Sequence, residues 1–347
     1  MKLAIFSAQP YDKLYLNDDL AATLNLQCEA VYHSSTLSSE TVLLAQGCDA
    51  ICVFVNDLLD AAVLEALHSY GIHVILLRCA GFNNIDLKTA EYLGFFVANV
   101  PAYSPEAVAE FTVAMIQTLN RKTHRAFNRV REGNFRLDGL LGNTLHGKTV
   151  GIIGVGRIGL AMARIMNGFG CRLLAHDPYA NDEFNEYGTL TELDDLLKQS
   201  DIVSLHCPLT DGTRHIINDE SLTKLKRGAI LVNTSRGGLI DTKAVTVALK
   251  SRQLGGLALD VYEDEGSIFY KDHSTNIIHD DVLMRLLTFP NVLVCGHQAF
   301  FTEEALHEIA EVTFRNLEDY LMKRSCKNAL VRENHLLKGP DVGPVRL

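Results

Sequence analysis

The sequence predicts an α/β protein built on two doubly wound parallel sheets, and three observations carry that reading. Two series of short apolar runs alternate with amphipathic helical patterns, one in residues 1–100 and one in residues 148–298. A glycine fingerprint, Gly154-Val155-Gly156-Arg157-Ile158-Gly159, opens the second series between a strand pattern and a helix pattern. A longer helical pattern and a glycine-rich stretch, residues 105–147, separate the two series.

In the first series KLAIFS, CEAVYH, AICVFV, HVILLR and FFVANV read as strands. Most are apolar throughout, so both faces must be covered, which is the signature of a parallel sheet flanked by helices. The helices fall near 13–24, 59–69 and 86–93. Residues 105–122 form a longer helix; Pro105 suits its first turn and Ser104 precedes it as an N-cap. The stretch 131–147 carries Gly133, Gly139, Gly142 and Gly147 and reads as loop. The second series contains six strand candidates: TVGIIGV, RLLAHD, DIVSLHC, GAILVNTS, GGLALDVY and NVLVCGH. Helices near 157–168, 191–198, 218–226 and 241–251 separate the first five, the pattern of a nucleotide-binding sheet. The polar segment 263–290 breaks the rhythm, and a loop that long in a compact domain is often functional. Residues 302–324 form a last helix, and the tail LLKGPDVGPVRL is read as disordered or loosely attached.

The chain of 347 residues has room for two domains of ordinary size, and 47% hydrophobic residues suffice for two cores. A net charge of −10 argues against a nucleic-acid partner. The apolar run in MKLAIFSAQP is too short for a signal peptide, and no apolar stretch is long enough to span a bilayer. A cytoplasmic protein without a membrane partner is expected. The eight cysteines are scattered, with no CxxC pair and no Cys/His cluster at zinc spacing, so reduced thiols and no metal are expected.

Each part of the fingerprint has a physical purpose. Gly154 permits a tight turn, Gly156 lets the backbone approach a pyrophosphate, and Gly159 allows close helix–strand packing. The helix N-terminus, with Arg157 and Ile158, offers amides and a partial positive charge to phosphates. Asp177 ends the next strand and can accept bonds from ribose hydroxyls. A 2′-phosphate would face that carboxylate, and Pro178 and Tyr179 are not basic, so NAD is expected over NADP. Downstream come Arg236 in NTSRGG, Glu265 in a charged loop and His297 after NVLVCG. Arg236 and His297 follow strand ends, where ligands gather in open α/β sheets. A guanidinium can hold a carboxylate, an imidazole can pass a proton, and a carboxylate beside it can favour imidazolium. With a nicotinamide, these are the parts needed to reduce a 2-keto acid.

The stretches LRCAGFNNIDL, VPAYSPEAVAE, GVGRIG, HCPLT, VNTSRGGLID, LDVYEDE and GHQAF, in this order, resemble the NAD-dependent D-isomer-specific 2-hydroxyacid dehydrogenases over nearly the whole chain. Within that family the match is to the fermentative D-lactate dehydrogenases. The resemblance implies two Rossmann-like or flavodoxin-like domains with a cleft between them: residues 1–101 plus 299–347 for substrate and 102–298 for NAD. It assigns Arg236 to the substrate carboxylate, His297 to proton transfer and Glu265 to pairing with His297. It places Ala80, Gly81, Tyr103, Phe54 and Phe300 on the substrate side, Phe54 standing where some relatives have tyrosine. It places Cys207, Pro208, Thr213, Thr234, Ser235 and Asp260 against NAD, with Asp260 facing the nicotinamide carboxamide. The implied reaction is reversible reduction of pyruvate to D-lactate in a homodimer or homotetramer. The helix from 105 onward is the family's dimerisation region, and Val108, Phe111, Met115 and Leu119 suit either that contact or packing onto the domain. A sibling enzyme for a bulkier 2-keto acid, or an NAD-sensing corepressor-like protein, remains open at this point.

Overall fold

The computed structural model describes residues 1–180 and 182–331. The tail LLKGPDVGPVRL lies outside them. In chain order, β1 (Lys2–Ile5) leads through α1 (Asp12–Tyr15) and α2 (Asp18–Thr23) to β2 (Glu29–Tyr32) and β3 (Ala50–Val53). α3 (Ala61–Ser69), β4 (Val74–Leu77), α4 (Leu87–Tyr92) and β5 (Phe96–Ala98) follow. α5 (Pro105–Arg121) and α6 (Thr123–Arg131) precede β6 (Thr149–Ile153), α7 (Arg157–Gly168), β7 (Arg172–His176) and β8 (Thr189–Leu190). Then come α8 (Leu193–Gln199), β9 (Ile202–Leu205), α9 (Asp219–Lys224), β10 (Ala229–Asn233), α10 (Thr242–Lys250) and β11 (Leu254–Leu259). α11 (Asp281–Leu287), β12 (Val292–Val294), α12 (Glu303–Leu321) and β13 (Ala329–Val331) complete the described chain.

Two compact units result. Among the described residues, one comprises Met1–Ser104 and residues 301–331; the other comprises Pro105–Phe300. The crossings expected near Pro101 and Ala299 fall a few residues later. Ala299 stays with the second unit because its N–H donates to the Asp260 carboxylate at 2.8 Å.

The first unit holds a sheet of order β13-β5-β4-β3-β1-β2. All its pairings are parallel except β13 with β5, so an antiparallel edge strand closes it. Without β13 this is the flavodoxin-like order, in which the strand sequence reverses between β1 and β3. α12 lays Ala310, Phe314 and Leu317 against Leu3, Ile5, Cys52, Leu76 and Phe96 to form the core.

The second unit holds a wholly parallel sheet of order β12-β11-β10-β9-β6-β7-β8. It contains the dinucleotide-binding order, reversing between β6 and β9. Two apolar clusters cover it. One joins Leu205, Leu231 and Leu257 to Leu222, Val245 and Leu249. The other joins Val150, Ile152 and Val232 to Met162, Met166, Met115 and Ile116. Met115 and Leu119 of α5 are thus spent on packing inside this unit, and Val108 is buried as well.

The six expected strands of the second series all form, and β8 adds a seventh too short to show a period. The helix expected near 13–24 is broken, because Asn17 takes extended backbone and caps α2 by accepting from Leu20 N–H. The helix from Pro105 stops at Arg121, where Lys122 turns to φ 54°, and α6 runs on into the stretch before the expected loop. Ser104, just before α5, stands at φ 27°. The segment 263–290 contains α11, started by the Asp280 carboxylate accepting from Val282 and Leu283 N–H.

Candidate active site

The glycine fingerprint lies where β6 ends and α7 begins. Gly154 has φ 92°, and a Cβ there would come within 2.6 Å of the Cys207 nitrogen. A Cβ on Gly159 would meet the Gly154 carbonyl oxygen well inside contact distance. The loop and the first turn of α7 therefore touch backbone to backbone, and Gly156 is the extended N-cap residue of α7. That leaves the first amides of a twelve-residue helix facing the carboxyl end of the sheet. Asp177 ties the same corner together: Val155 N–H donates to Oδ2 at 2.9 Å and Tyr179 N–H to Oδ1 at 2.8 Å. The residues present fit a dinucleotide, because backbone contacts that admit only glycine at Gly154 and Gly159 hold the turn against the start of α7, whose first amides can meet phosphates.

The neighbouring strand ends line up beside it. Cys207 follows β9, and burial pushes its thiol up to about 12, so it is an uncharged wall rather than a nucleophile. His206 is buried too; its Nε2 meets Ser204 Oγ at 2.8 Å, and burial holds its imidazole down to about 4. Thr213 Oγ1 donates to Pro208 O at 2.6 Å, fixing the turn after HCPLT. Thr234 Oγ1 meets Thr112 Oγ1 of α5 at 2.8 Å, and Ser235 Oγ donates to Cys207 O at 2.8 Å. The β9 and β10 loops are thereby locked to one another.

Arg236 is half-buried just beyond β10, and its Nη1 donates to Ser235 O at 2.7 Å. A Cβ on Gly237 would run into the backbone of Tyr262 and Glu263. The arginine loop is thus pressed against the segment that leads to Glu265. Glu265 opens a single 3-10 turn, Glu265–Ser267. Its Oε2 accepts from Tyr262 N–H at 2.8 Å, and its Oε1 lies 2.7 Å from His297 Nδ1. A carboxylate is acceptor only, so Nδ1 carries the shared proton and Nε2 is the ring nitrogen outside this pair.

His297 sits in a sharply constrained loop. Its φ is 56°, a left-handed value that costs a residue with a Cβ. Four bonds hold it there. His297 N–H donates to Asp260 O at 2.7 Å, and the Asp260 carboxylate accepts from Gln298 and Ala299 N–H at 2.9 and 2.8 Å. Tyr270 Oη donates to His297 O at 2.9 Å. Burial pushes the Asp260 carboxyl above the usual carboxylate range, against the pull of those two amides. Both Asp260 oxygens are engaged with the histidine loop, so the aspartate shapes that loop directly.

Sequence reasoning missed Tyr270, which lies in the aperiodic part of 263–290 and carries no motif. It also missed a second pair, His215 Nε2 and Glu263 Oε1 at 2.6 Å, which fastens the turn after β9 to the Tyr262–Glu265 segment.

The remaining predicted residues lie in the first unit, except Phe300, which is buried at the end of the second. Ala80 and Gly81 follow β4. Asn99 Nδ2 donates to Ala80 O at 2.7 Å and Cys79 Sγ approaches Gly81 O at 3.2 Å. The N–H groups of Ala80 and Gly81 have no partner among the described residues. Phe54 follows β3 and is buried, and Tyr103 is half-buried near the crossing into α5. Among the described residues no cysteine is joined in a disulfide. Among the described residues no cluster of three His, Cys, Asp or Glu could hold a metal, and no helix is long and apolar enough to cross a membrane.

Comparison with known proteins agrees with this arrangement. Residues 113–299 match the family model described as D-isomer specific 2-hydroxyacid dehydrogenase, NAD binding domain. The chain is 71% identical to 2-hydroxyacid dehydrogenase A of Aspergillus oryzae over 100% of both chains. It is 66% identical to D-lactate dehydrogenase kk1H of Curvularia clavata over 96% of each. Its fold superposes on the solved pyruvate reductase of Chlamydomonas reinhardtii with a TM-score of 0.88 at 42% identity, covering 94% of this chain and 98% of that one. An NAD-binding sheet, a carboxylate-paired histidine and a strand-end arginine thus occur in a chain that belongs to the family of NAD-dependent, D-isomer-specific 2-hydroxyacid dehydrogenases.

Proposed function

We propose that this enzyme reduces pyruvate to D-lactate with NADH and also runs the reverse reaction. The observation that carries the reading is the Glu265–His297 pair at 2.7 Å, built on a left-handed backbone inside an NAD-binding domain. The D-lactate dehydrogenase of Curvularia clavata and the pyruvate reductase of Chlamydomonas reinhardtii support the choice of substrate. The second unit binds NAD through the Gly154–Gly159 corner, with Arg157, Ile158, Asp177, Cys207, Pro208, Thr213, Thr234 and Ser235 around it. The first unit handles substrate.

When bound as NADH, the cofactor supplies the hydride that reduces the carbonyl carbon. Arg236 of the second unit holds the substrate carboxylate with its planar fork. On the first unit the N–H groups of Ala80 and Gly81, without a partner among the described residues, are offered to substrate. His297 Nε2 gives its proton to the carbonyl oxygen, which becomes the hydroxyl of lactate. Glu265 fixes the ring and balances the charge of the imidazolium before that transfer. Phe54 and Tyr103 on the first unit, and Phe300 on the second, are the side chains each unit offers to the substrate's apolar end.

The test is the loss of NADH absorbance on adding pyruvate, with chiral analysis of the product. D-lactate formation is expected, and His297→Gln should lower kcat by roughly 10²–10⁴-fold with NADH binding retained. A strong preference for a bulkier 2-keto acid would move the chain to a sibling activity. Tight NADH binding with no turnover of any 2-keto acid would make it a nucleotide sensor.

A further inference from the structure

An arginine is an unusual occupant of the interior beside a sheet, yet Arg78 follows β4 directly and is 2% exposed. Its Nε donates to Asp12 Oδ1 at 3.1 Å, and its Nη2 donates to Asp12 Oδ2 at 3.2 Å and to Ser7 O at 3.1 Å. Its Nη1 is buried and has no hydrogen-bond partner among the described residues. The guanidinium carbon lies 4.9 Å from the centre of the Phe54 ring.

Stability does not explain this arrangement. Well-packed apolar residues often replace a buried ion pair at no loss, and here one guanidinium nitrogen lacks a partner as well. What an apolar side chain cannot do is lay a flat cation on an aromatic face while a carboxylate holds its far edge. The Phe54 backbone is pinned separately. Phe54 N–H donates to Asp57 Oδ2 at 2.6 Å, and Asn84 Nδ2 donates to Phe54 O at 2.9 Å. Asp57 is itself held by Ser7 Oγ and Leu37 N–H, each at 2.7 Å. These bonds fix where the phenylalanine starts, and the guanidinium bears on where its ring lies. Arg78 is also joined through Cys79 to Ala80 and Gly81, whose N–H groups have no partner among the described residues.

We propose that Arg78 is a positioning residue, which braces the Phe54 ring and the Cys79–Gly81 loop and so sets the size of the 2-keto acid side chain accepted. The proposal rests on the substrate reading above. Arg78 touches no reacting atom; it acts through Phe54 and the loop amides.

The experiment uses the full chain with NADH and compares kcat and KM for pyruvate and 2-ketoisocaproate in Arg78→Met, Arg78→Lys, Phe54→Leu and the Arg78→Lys/Phe54→Leu double variant. In Arg78→Met the KM for pyruvate should rise about tenfold or more, with kcat changed less. The ratio of kcat/KM for 2-ketoisocaproate over pyruvate should rise by at least about tenfold, the scale on which a pocket discriminates by one or two methylenes. NADH affinity should not move. Should Arg78→Met fail to fold, Arg78→Lys decides, since it keeps the charge and loses the plane. The double variant should shift the ratio by less than the product of the single shifts, because both changes release one ring. An unmoved ratio with only a lower Tm, or strictly multiplicative shifts, would overturn the role. If the unsubstituted chain oxidises NADH with no 2-keto acid, the substrate reading itself fails, which this control separates from failure of the Arg78 role.

Discussion

His297 Nδ1 and Glu265 Oε1 stand 2.7 Å apart although 32 residues separate them, and neither side chain owes its place to regular secondary structure. The histidine rides on a loop that Asp260 and Tyr270 hold at φ 56°, and the glutamate opens a 3-10 turn whose start accepts from Tyr262. Two irregular segments are therefore built around one hydrogen bond. Glu265→Gln keeps the shape and removes the charge that balances an imidazolium. It should lower kcat by roughly 10–10²-fold, part of the 10²–10⁴-fold that a general acid contributes, with NADH affinity unchanged. Stopped-flow and NADH fluorescence titration check the two halves, and an unaltered kcat would remove Glu265 from proton transfer.

Arg236→Lys keeps one positive charge and loses the fork. Hydrogen bonds to charged groups contribute about 1.5–3 kcal/mol, so kcat/KM for pyruvate should fall by about 10–10²-fold. The loss should appear with substrate and spare NADH binding. Steady-state kinetics beside the binding titration decide it, and an unchanged kcat/KM would sink the carboxylate clamp.

Gly237→Ala probes the contact between the arginine loop and the glutamate segment. The added methyl runs into the backbone of Tyr262 and Glu263, so one side must shift. Overpacking of this kind costs about 1–3 kcal/mol, which calorimetry should register as a lower Tm. The functional loss should exceed the stability loss, since a misplacement of about 1 Å near the chemistry costs about 10²-fold in rate. Full activity at a lowered Tm would show that the displacement is absorbed away from Glu265.

His206 gives the second unit a pH-dependent stability. Burial holds its imidazole down to about 4, below the ordinary 6.5, so the unfolded chain takes up this proton before the folded one does. Stability is therefore fullest above pH 6.5, declines as pH falls from 6.5 towards 4, and stops declining through this group below that. The displacement corresponds to about 3 kcal/mol. Urea unfolding across this window should show the slope, and His206→Asn should flatten it. An equal slope in both proteins would assign the effect to other groups.

Much of the architecture was legible because it rests on local rules. Apolar runs bounded by helical patterns marked eleven of the strands, since a parallel strand must be buried on both faces. The short β8 and β13 escaped notice because two or three residues show no period. α11 hid in a polar segment, where Asp280 supplied its cap but no long apolar stripe announced it. The site was legible in part for the same reason. Gly154 and Gly159 were readable because backbone contact admits only glycine, and that demand is written in the residue itself. Tyr270, Arg78 and the His215–Glu263 pair were not, because each is an ordinary residue whose meaning lies in a partner distant in sequence.

The sequence by itself determined the two series of sheet and helix, the glycine corner for NAD, and the candidacy of Arg236, Glu265 and His297. Periodicity, glycine and residue chemistry are properties of short stretches of chain. Only the tertiary structure decided that Glu265 pairs with His297 Nδ1, that both Asp260 oxygens serve the histidine loop, and that Arg78 lies across the Phe54 ring. Those are relations between atoms brought within about 3–5 Å by folding, where hydrogen-bond and cation–π geometry act and sequence distance does not.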